Sequence, residues 1–223
     1  MGYLIFIMPA LLLSIYAQYK VSNTFKKYSE LRSSRGVTGA EVANTIARRS
    51  SLNIKIEPVA GSLSDHYDPL SKTVRLSESV YGSNSISALG VAAHEVGHAL
   101  QHRDRYGLLE LRHKLVPATN FSSSASFPIL LIGFFMQNLG LVMLGIILFS
   151  VVVLFHLVTL PVEINASRRA VALLSENGLV SAAELPGVKS VLSAAALTYL
   201  AATLSAVSNL FYYLLIFTGG GED

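Results

Sequence analysis

The chain has 223 residues, 52% of them hydrophobic and only 14% charged, with a formal net charge of +3 and no cysteine. About a quarter charged is usual for a soluble domain, so this composition sets the chain apart from that class, and the lack of Cys excludes a disulfide framework and fits a reducing compartment. The basic residues are scattered with no stacking motif among them, which argues against nucleic acid as a partner.

Residues 1–19 carry no charged side chain, and a run of this length is close to the roughly 20 residues that a bilayer requires. Lys20, Lys26 and Lys27 follow the apolar run rather than precede it, which favours a membrane span over a cleaved signal peptide. Residues 20–116 read as one small lobe. In it, TGAEVANTIARRS predicts a helix, with Thr38 as N-cap and Glu41 completing a capping box. NIKIEPVA alternates and predicts a strand ending at Pro58. SLSDHYDPLSKTVRLSESV has turn chemistry at Asp68 and Pro69, then a second strand over 73–76. SNSISALGVAAHEVGHALQHRDR predicts a helix capped by Ser83, Asn84 or Ser85.

Residues 116–162 again lack charge and divide at QNLG, 137–140, into a helical hairpin. Pro161 marks a break, after which PVEINASRRA begins a helix-like segment. The last apolar run, from about 190, repeats small residues every fourth position at Ala194, Thr198, Ala202 and Ala206, a spacing that lets helices approach closely in lipid. Of the 17 Lys and Arg, 14 lie from Lys20 to Lys114 and the rest are Arg168, Arg169 and Lys189. The positive-inside rule therefore puts both basic regions in the cytoplasm and both termini outside. The expected architecture is a mainly α-helical integral membrane protein of the plasma or inner membrane. It divides into a first transmembrane helix (1–19), a cytoplasmic α+β lobe (20–116), a transmembrane hairpin (117–160), a cytoplasmic segment (161–189) and a fourth transmembrane helix with a short tail (190–223).

The lobe carries His94-Glu95-Val96-Gly97-His98, an HExxH motif. On a helix its two histidines stand one turn apart on one face, so both rings can reach one zinc ion. Glu95 falls beside them as a base for a water that zinc would acidify to a pKa of about 7. A catalytic zinc takes three protein ligands. His102, Asp104, His113 and Glu163 are the candidates for the third. His102 lies a further turn along the same straight helix, out of reach of an ion held between the first two. Asp104 has the metzincin spacing, but that pattern needs a glycine where this chain has Gln101. His113 has no motif around it, and Glu163 follows the third span.

A glutamate after a membrane hairpin, downstream of HExxH, resembles the HtpX-like and CAAX prenyl protease group of membrane gluzincins. Through GSLSDHYDPLSKTVRLSESVYGSNSISALGVAAHEVGHALQ and LPVEINASRRA the chain is similar in more detail to the YugP-like neutral zinc metallopeptidases. The resemblance implies a zincin-like lobe, one catalytic zinc on His94, His98 and Glu163, and Glu95 as catalytic base. The HtpX-like pattern has an aspartate four residues after the ligand glutamate, where this chain has Ser167, so support for the metal shell is expected from Ser167, Asn165 or elsewhere.

Three weaker signals remain. His66 or Tyr67, ahead of the second strand, is a candidate to polarise a scissile carbonyl, set against a plain turn at Asp68 and Pro69. His156 reads as an interior residue of a span, and Arg168 and Arg169 as headgroup anchors or helpers at the site. The function expected is a membrane-embedded zinc endopeptidase, its active site facing the cytoplasm, cleaving membrane-associated or unfolded polypeptides near the membrane surface. The alternatives are a non-catalytic, metal-stabilised membrane scaffold or chaperone, and a site-2-type intramembrane protease. The latter is disfavoured because no Asp-Gly pair occurs in the chain.

Overall fold

A computed structural model describes residues 2–219. Met1 and most of the GGGED tail lie outside the described residues, and with them the two chain ends expected on the non-cytoplasmic side. The protein is mainly helical, with one small sheet. It divides into two compact units: Met1–Ala17, Gly107–Pro161 and Thr198–Asp223 form one, Gln18–Tyr106 and Val162–Leu197 the other.

In chain order, helix α1 is Gly2–Ser29, a 28-residue helix that covers the expected first span and continues past Lys20 and Lys26. Helix α2 is Gly39–Arg49. Its N-terminus is the predicted capping box: Thr38 Oγ1 accepts from the Glu41 N–H at 3.3 Å, and the Glu41 carboxylate accepts from the Thr38 N–H at 2.7 Å. Strands β1 (Lys55–Val59), β2 (His66–Asp68) and β3 (Thr73–Ser77) form a sheet of order β1-β3-β2. β1 runs parallel to β3, and β2 antiparallel to it. β1 continues through Pro58 rather than ending there; as an edge strand it can hold a residue with no N–H to donate. Asp68 both ends β2 and begins the expected turn, its Oδ1 accepting from the Leu70 N–H at 2.9 Å.

The short helix α3 (Glu78–Tyr81) leads to α4 (Ile86–Arg103), which Ser85 caps by accepting from the Ala88 N–H at 3.2 Å. Three long helices follow: α5 (Gly107–Phe135), α6 (Leu139–Glu176) and α7 (Leu185–Gly219). Among the described residues these are the three helices long and apolar enough to cross a membrane. Large apolar side chains such as Phe121, Phe127, Ile147, Leu154 and Phe211 are exposed along them, a surface suited to lipid rather than water.

Two boundaries differ from the sequence expectation. α5 begins at Gly107, ahead of 117, and takes in Arg112, His113 and Lys114. α6 passes through Pro161 without interruption. Proline deletes one backbone hydrogen bond, but its φ near −65° is a helical value, so a helix held by its neighbours tolerates it. The hairpin turn is where QNLG predicted it. Gln137 adopts φ 51°, and Asn138 Oδ1 accepts from the Leu141 N–H at 3.1 Å to start α6. Close packing of the hairpin depends on Gly133, where a Cβ would stand 2.7 Å from the Val142 nitrogen.

The core of the other unit joins the sheet to α2 and α4 and to the residues of α6 and α7 that belong to it. Val42, Ile46, Val74, Leu76, Leu89, Val96, Leu174 and Val188 are all fully buried in one cluster. At about 1.5–3 kcal/mol for each large aliphatic side chain buried, this cluster helps hold α4 against α6.

Candidate metal centre

Two helices of one unit build the centre. α4 presents His94 and His98 one turn apart, and their rings stand edge to face with centroids 4.7 Å apart. α6 presents Glu163, which is only 2% exposed. Gly97 sets the spacing of the two helices. A Cβ there would lie 2.8 Å from the Ala166 carbonyl oxygen, so the backbones touch within a turn of all three side chains.

Glu163 Oε2 lies 3.1 Å from His94 Nε2 and 3.5 Å from His98 Nε2. Zinc bonds to nitrogen and carboxylate oxygen of about 2.0–2.1 Å in a tetrahedron require ligand atoms about 3.3 Å apart. The two observed separations bracket that value, and the donor set of two imidazoles and one carboxylate is one that zinc takes. Among the described residues, His94, His98 and Glu163 are the group of metal-binding type, with ligand atoms all within 4.8 Å of one another. The residues present fit a zinc ion.

Burial opposes a charge on His98, but the hydrogen bond and charge of Glu163, together with the charge of Glu95, outweigh it and raise the His98 pKa above its ordinary value. Glu95, between the histidines in sequence, is 8% exposed. Its charge is felt at His98, so it borders the same cluster.

The outer nitrogens of both rings are also held. Ser167 Oγ lies 3.2 Å from His94 Nδ1, so the serine at the aspartate position of the HtpX-like pattern does reach one of the two HExxH histidines. Gln101 Oε1 accepts from His98 Nδ1 at 3.0 Å. Asn165 reaches the histidines through Gln101: its Oδ1 accepts from Gln101 Nε2 at 2.9 Å. From the sequence, Gln101 is notable only for standing where the metzincin pattern has a glycine. A polar residue three positions after His98 is the signal that could have found it, because that spacing puts the two side chains side by side on a helix.

The remaining candidates fall outside the cluster. His102 Nδ1 is hydrogen-bonded to the Tyr67 hydroxyl at 2.9 Å, which joins β2 to the last turn of α4. Tyr67 is half-buried, and burial first, with the charge of Asp68 second, raises its pKa. His66 is exposed and bonded through Nδ1 to the Ser64 carbonyl at 2.8 Å. Asp104 is the C-cap of α4 and pairs with Arg169 Nη1 at 2.6 Å and Arg103 Nε at 2.8 Å, which commits its carboxylate elsewhere. Arg169 thus belongs to the outer part of the site. Arg168 lines a cavity of about 350 Å³ between α6 and α7, with Ser167, Lys189 and apolar side chains. His156 lies in the other unit, where its carbonyl accepts from the Thr203 hydroxyl at 3.3 Å.

Residues 3–218 match the family described as "Putative neutral zinc metallopeptidase". The chain is also 50% identical over 215 residues, 96% of each sequence, to the "Putative membrane protease YugP" of Bacillus subtilis (strain 168). No solved structure matches it. A match along nearly the whole length, with the three residues that could hold a metal inside it, makes the chain a member of the neutral zinc metallopeptidase family.

Proposed function

We propose that the protein is an integral-membrane, zinc-dependent endopeptidase, with His94, His98 and Glu163 as ligands of one zinc and Glu95 as catalytic base. The observation that carries this reading is the convergence of the two α4 imidazoles on the α6 carboxylate, at 3.1 and 3.5 Å, beside a buried glutamate. When bound, zinc would supply Lewis acidity, acidifying water and polarising a carbonyl. The chain's own groups do the rest. Glu95 takes a proton on its carboxylate and returns it to the leaving amine nitrogen. Gln101 and Ser167 hold the outer nitrogens of the imidazoles, so the rings do not turn. Of His66 and Tyr67, Tyr67 suits the role of carbonyl donor better, since it packs toward α4 while His66 faces outward.

Substrates in this reading are membrane-associated or unfolded polypeptides, cleaved near the cytoplasmic membrane surface. Its support is that Glu163 follows closely on the apolar run of α6, that all 17 Lys and Arg are confined to two segments, and that the bacterial relative is named a membrane protease. α1 serves as a fourth span in this scheme, its apolar first part in the bilayer and its basic second part in the cytoplasm. A metal-stabilised scaffold or chaperone would need the three ligands but not Glu95. A site-2-type protease would need HExxH within a span, whereas α4 is not among the three long apolar helices.

The test is cleavage of casein or a peptide library by detergent-purified full-length protein. Hydrolysis should stop with a chelator and return with added zinc. Unchanged hydrolysis in chelator contradicts the metallopeptidase reading.

A further inference from the structure

We propose that Gln101 is a positioning residue that fixes which ring nitrogen His98 offers to the metal, and that its own orientation is imposed by the Val162 carbonyl and by Arg169. The proposal rests on the reading of His94, His98 and Glu163 as zinc ligands. Gln101 has no exposed surface at all. Its amide nitrogen donates to the Val162 carbonyl and to Asn165 Oδ1, both at 2.9 Å, and its Oε1 faces His98 Nδ1 at 3.0 Å.

Two members of this network cannot change role. A backbone carbonyl only accepts, and a guanidinium only donates. Arg169 Nε lies 2.9 Å from Asn165 Oδ1, so turning the Asn165 amide would set its NH2 group against an N–H. Turning the Gln101 amide would set its oxygen against the Val162 and Asn165 oxygens in a buried space. Both amides are therefore fixed from opposite ends. Gln101 Oε1 is left pointing at His98, so Nδ1 must carry the hydrogen and Nε2 keeps its lone pair. Nε2 is the atom on the Glu163 side.

The network also closes on itself. Arg169 Nη1 is held by Asp104 at 2.6 Å, and Asp104 caps α4, the helix that carries both His98 and Gln101. The anchoring carbonyl belongs to Val162, the residue before the proposed third ligand. A displacement of Glu163 along α6 would thus disturb the His98 ring as well. His94 is held differently: Ser167 is a hydroxyl, able to give or accept, and imposes neither tautomer. The geometry makes the two histidines unequal, His98 preset by the protein and His94 free to be set by the ion.

The measurement is zinc affinity of full-length, detergent-purified variants by competition with a chromophoric chelator, alongside visible spectra of the cobalt-substituted proteins. Gln101→Met should weaken zinc by about 10–100-fold, the usual effect of losing an outer partner of a ligating histidine, and change the cobalt spectrum. Asn165→Leu should weaken it in the same direction, whereas Asn165→Asp, which keeps an acceptor for both Gln101 and Arg169, should stay within about threefold of wild type. Ser167→Ala should cost less than Gln101→Met. Wild-type affinity in Gln101→Met overturns the proposal, as does Asn165→Asp falling as far as Asn165→Leu. If Gln101→Met does not purify as a monodisperse protein, the half-buried Asn165 pair decides alone. Absence of tight zinc in the wild-type protein would instead contradict the metal-site reading on which the proposal rests.

Discussion

Gly97 of α4 meets Ala166 of α6 backbone to backbone: a Cβ at position 97 would come within 2.8 Å of the Ala166 carbonyl oxygen. The x positions of HExxH are chemically silent, yet this one sets how near Glu163 can come to the two imidazoles. Gly97→Ala should push the helices apart, costing about 1–3 kcal/mol as an overpacked contact. Zinc affinity should fall with it, since both Glu163 contacts lengthen. Thermal unfolding with and without zinc, with zinc titration of the folded variant, checks both effects. Wild-type zinc affinity in Gly97→Ala would show that the approach is not needed.

Glu163 and Asp104 are the two carboxylates with a claim to the third ligand position, and their partners separate them. Glu163→Ala should lose tight zinc and all hydrolysis. Asp104→Ala and His102→Ala should keep stoichiometric zinc, because Asp104 is engaged with Arg103 and Arg169, and His102 with Tyr67. Metal content by mass spectrometry of the three proteins distinguishes them. Zinc lost from Asp104→Ala but kept in Glu163→Ala reverses the assignment.

The same pairing gives a pH signature. Hydrogen bonds from Arg169 first and Arg103 second hold the Asp104 carboxyl below its ordinary pKa. A depressed carboxyl pKa contributes stability above the unfolded value, about 3.9 for Asp, and the contribution is lost as pH falls through the folded value. Wild type should therefore melt above Asp104→Asn at neutral pH. The gap should narrow below about pH 4 and close at lower pH. Melting temperatures of the two proteins from pH 7 down to acid check this; a gap that widens in acid contradicts it.

Membrane topology is open to labelling, because the chain has no cysteine. Met136, 66% exposed in the hairpin turn, and Leu70, 96% exposed beyond β2, are suitable positions. On intact cells an impermeant thiol reagent should modify Met136→Cys and spare Leu70→Cys. The opposite pattern would put the metal centre outside.

The parts of the fold legible in the sequence are those fixed by neighbours in the chain. The Thr38–Glu41 capping box, a cap for α4 among Ser83, Asn84 and Ser85, the turn at QNLG and the spacing of His94 and His98 all depend on residues within a few positions of one another. Pro161 misleads because a local rule meets a tertiary exception: the residue that should break α6 lies within a continuous helix. Glu163 is far from HExxH in sequence, and a family resemblance is what points to it; spacing argues against His102 and Asp104 but does not choose between His113 and Glu163. Gln101 is harder still. Its role exists only because α6 brings Val162 and Asn165 to it, a pairing that no periodicity in α4 encodes. The same holds for Arg169, which reads equally as a headgroup anchor or a helper at the site until Asp104 and Asn165 are seen around it.

The most direct test of the central claim is Glu95→Gln, compared with wild type for zinc content and peptide hydrolysis in the same preparation. Gln keeps the shape and the metal ligands but cannot accept the proton. Both proteins should hold one zinc per chain, and the variant should be at least about 100-fold slower, the least that loss of a positioned general base usually costs. Undiminished hydrolysis by Glu95→Gln, with zinc retained, would contradict the claim.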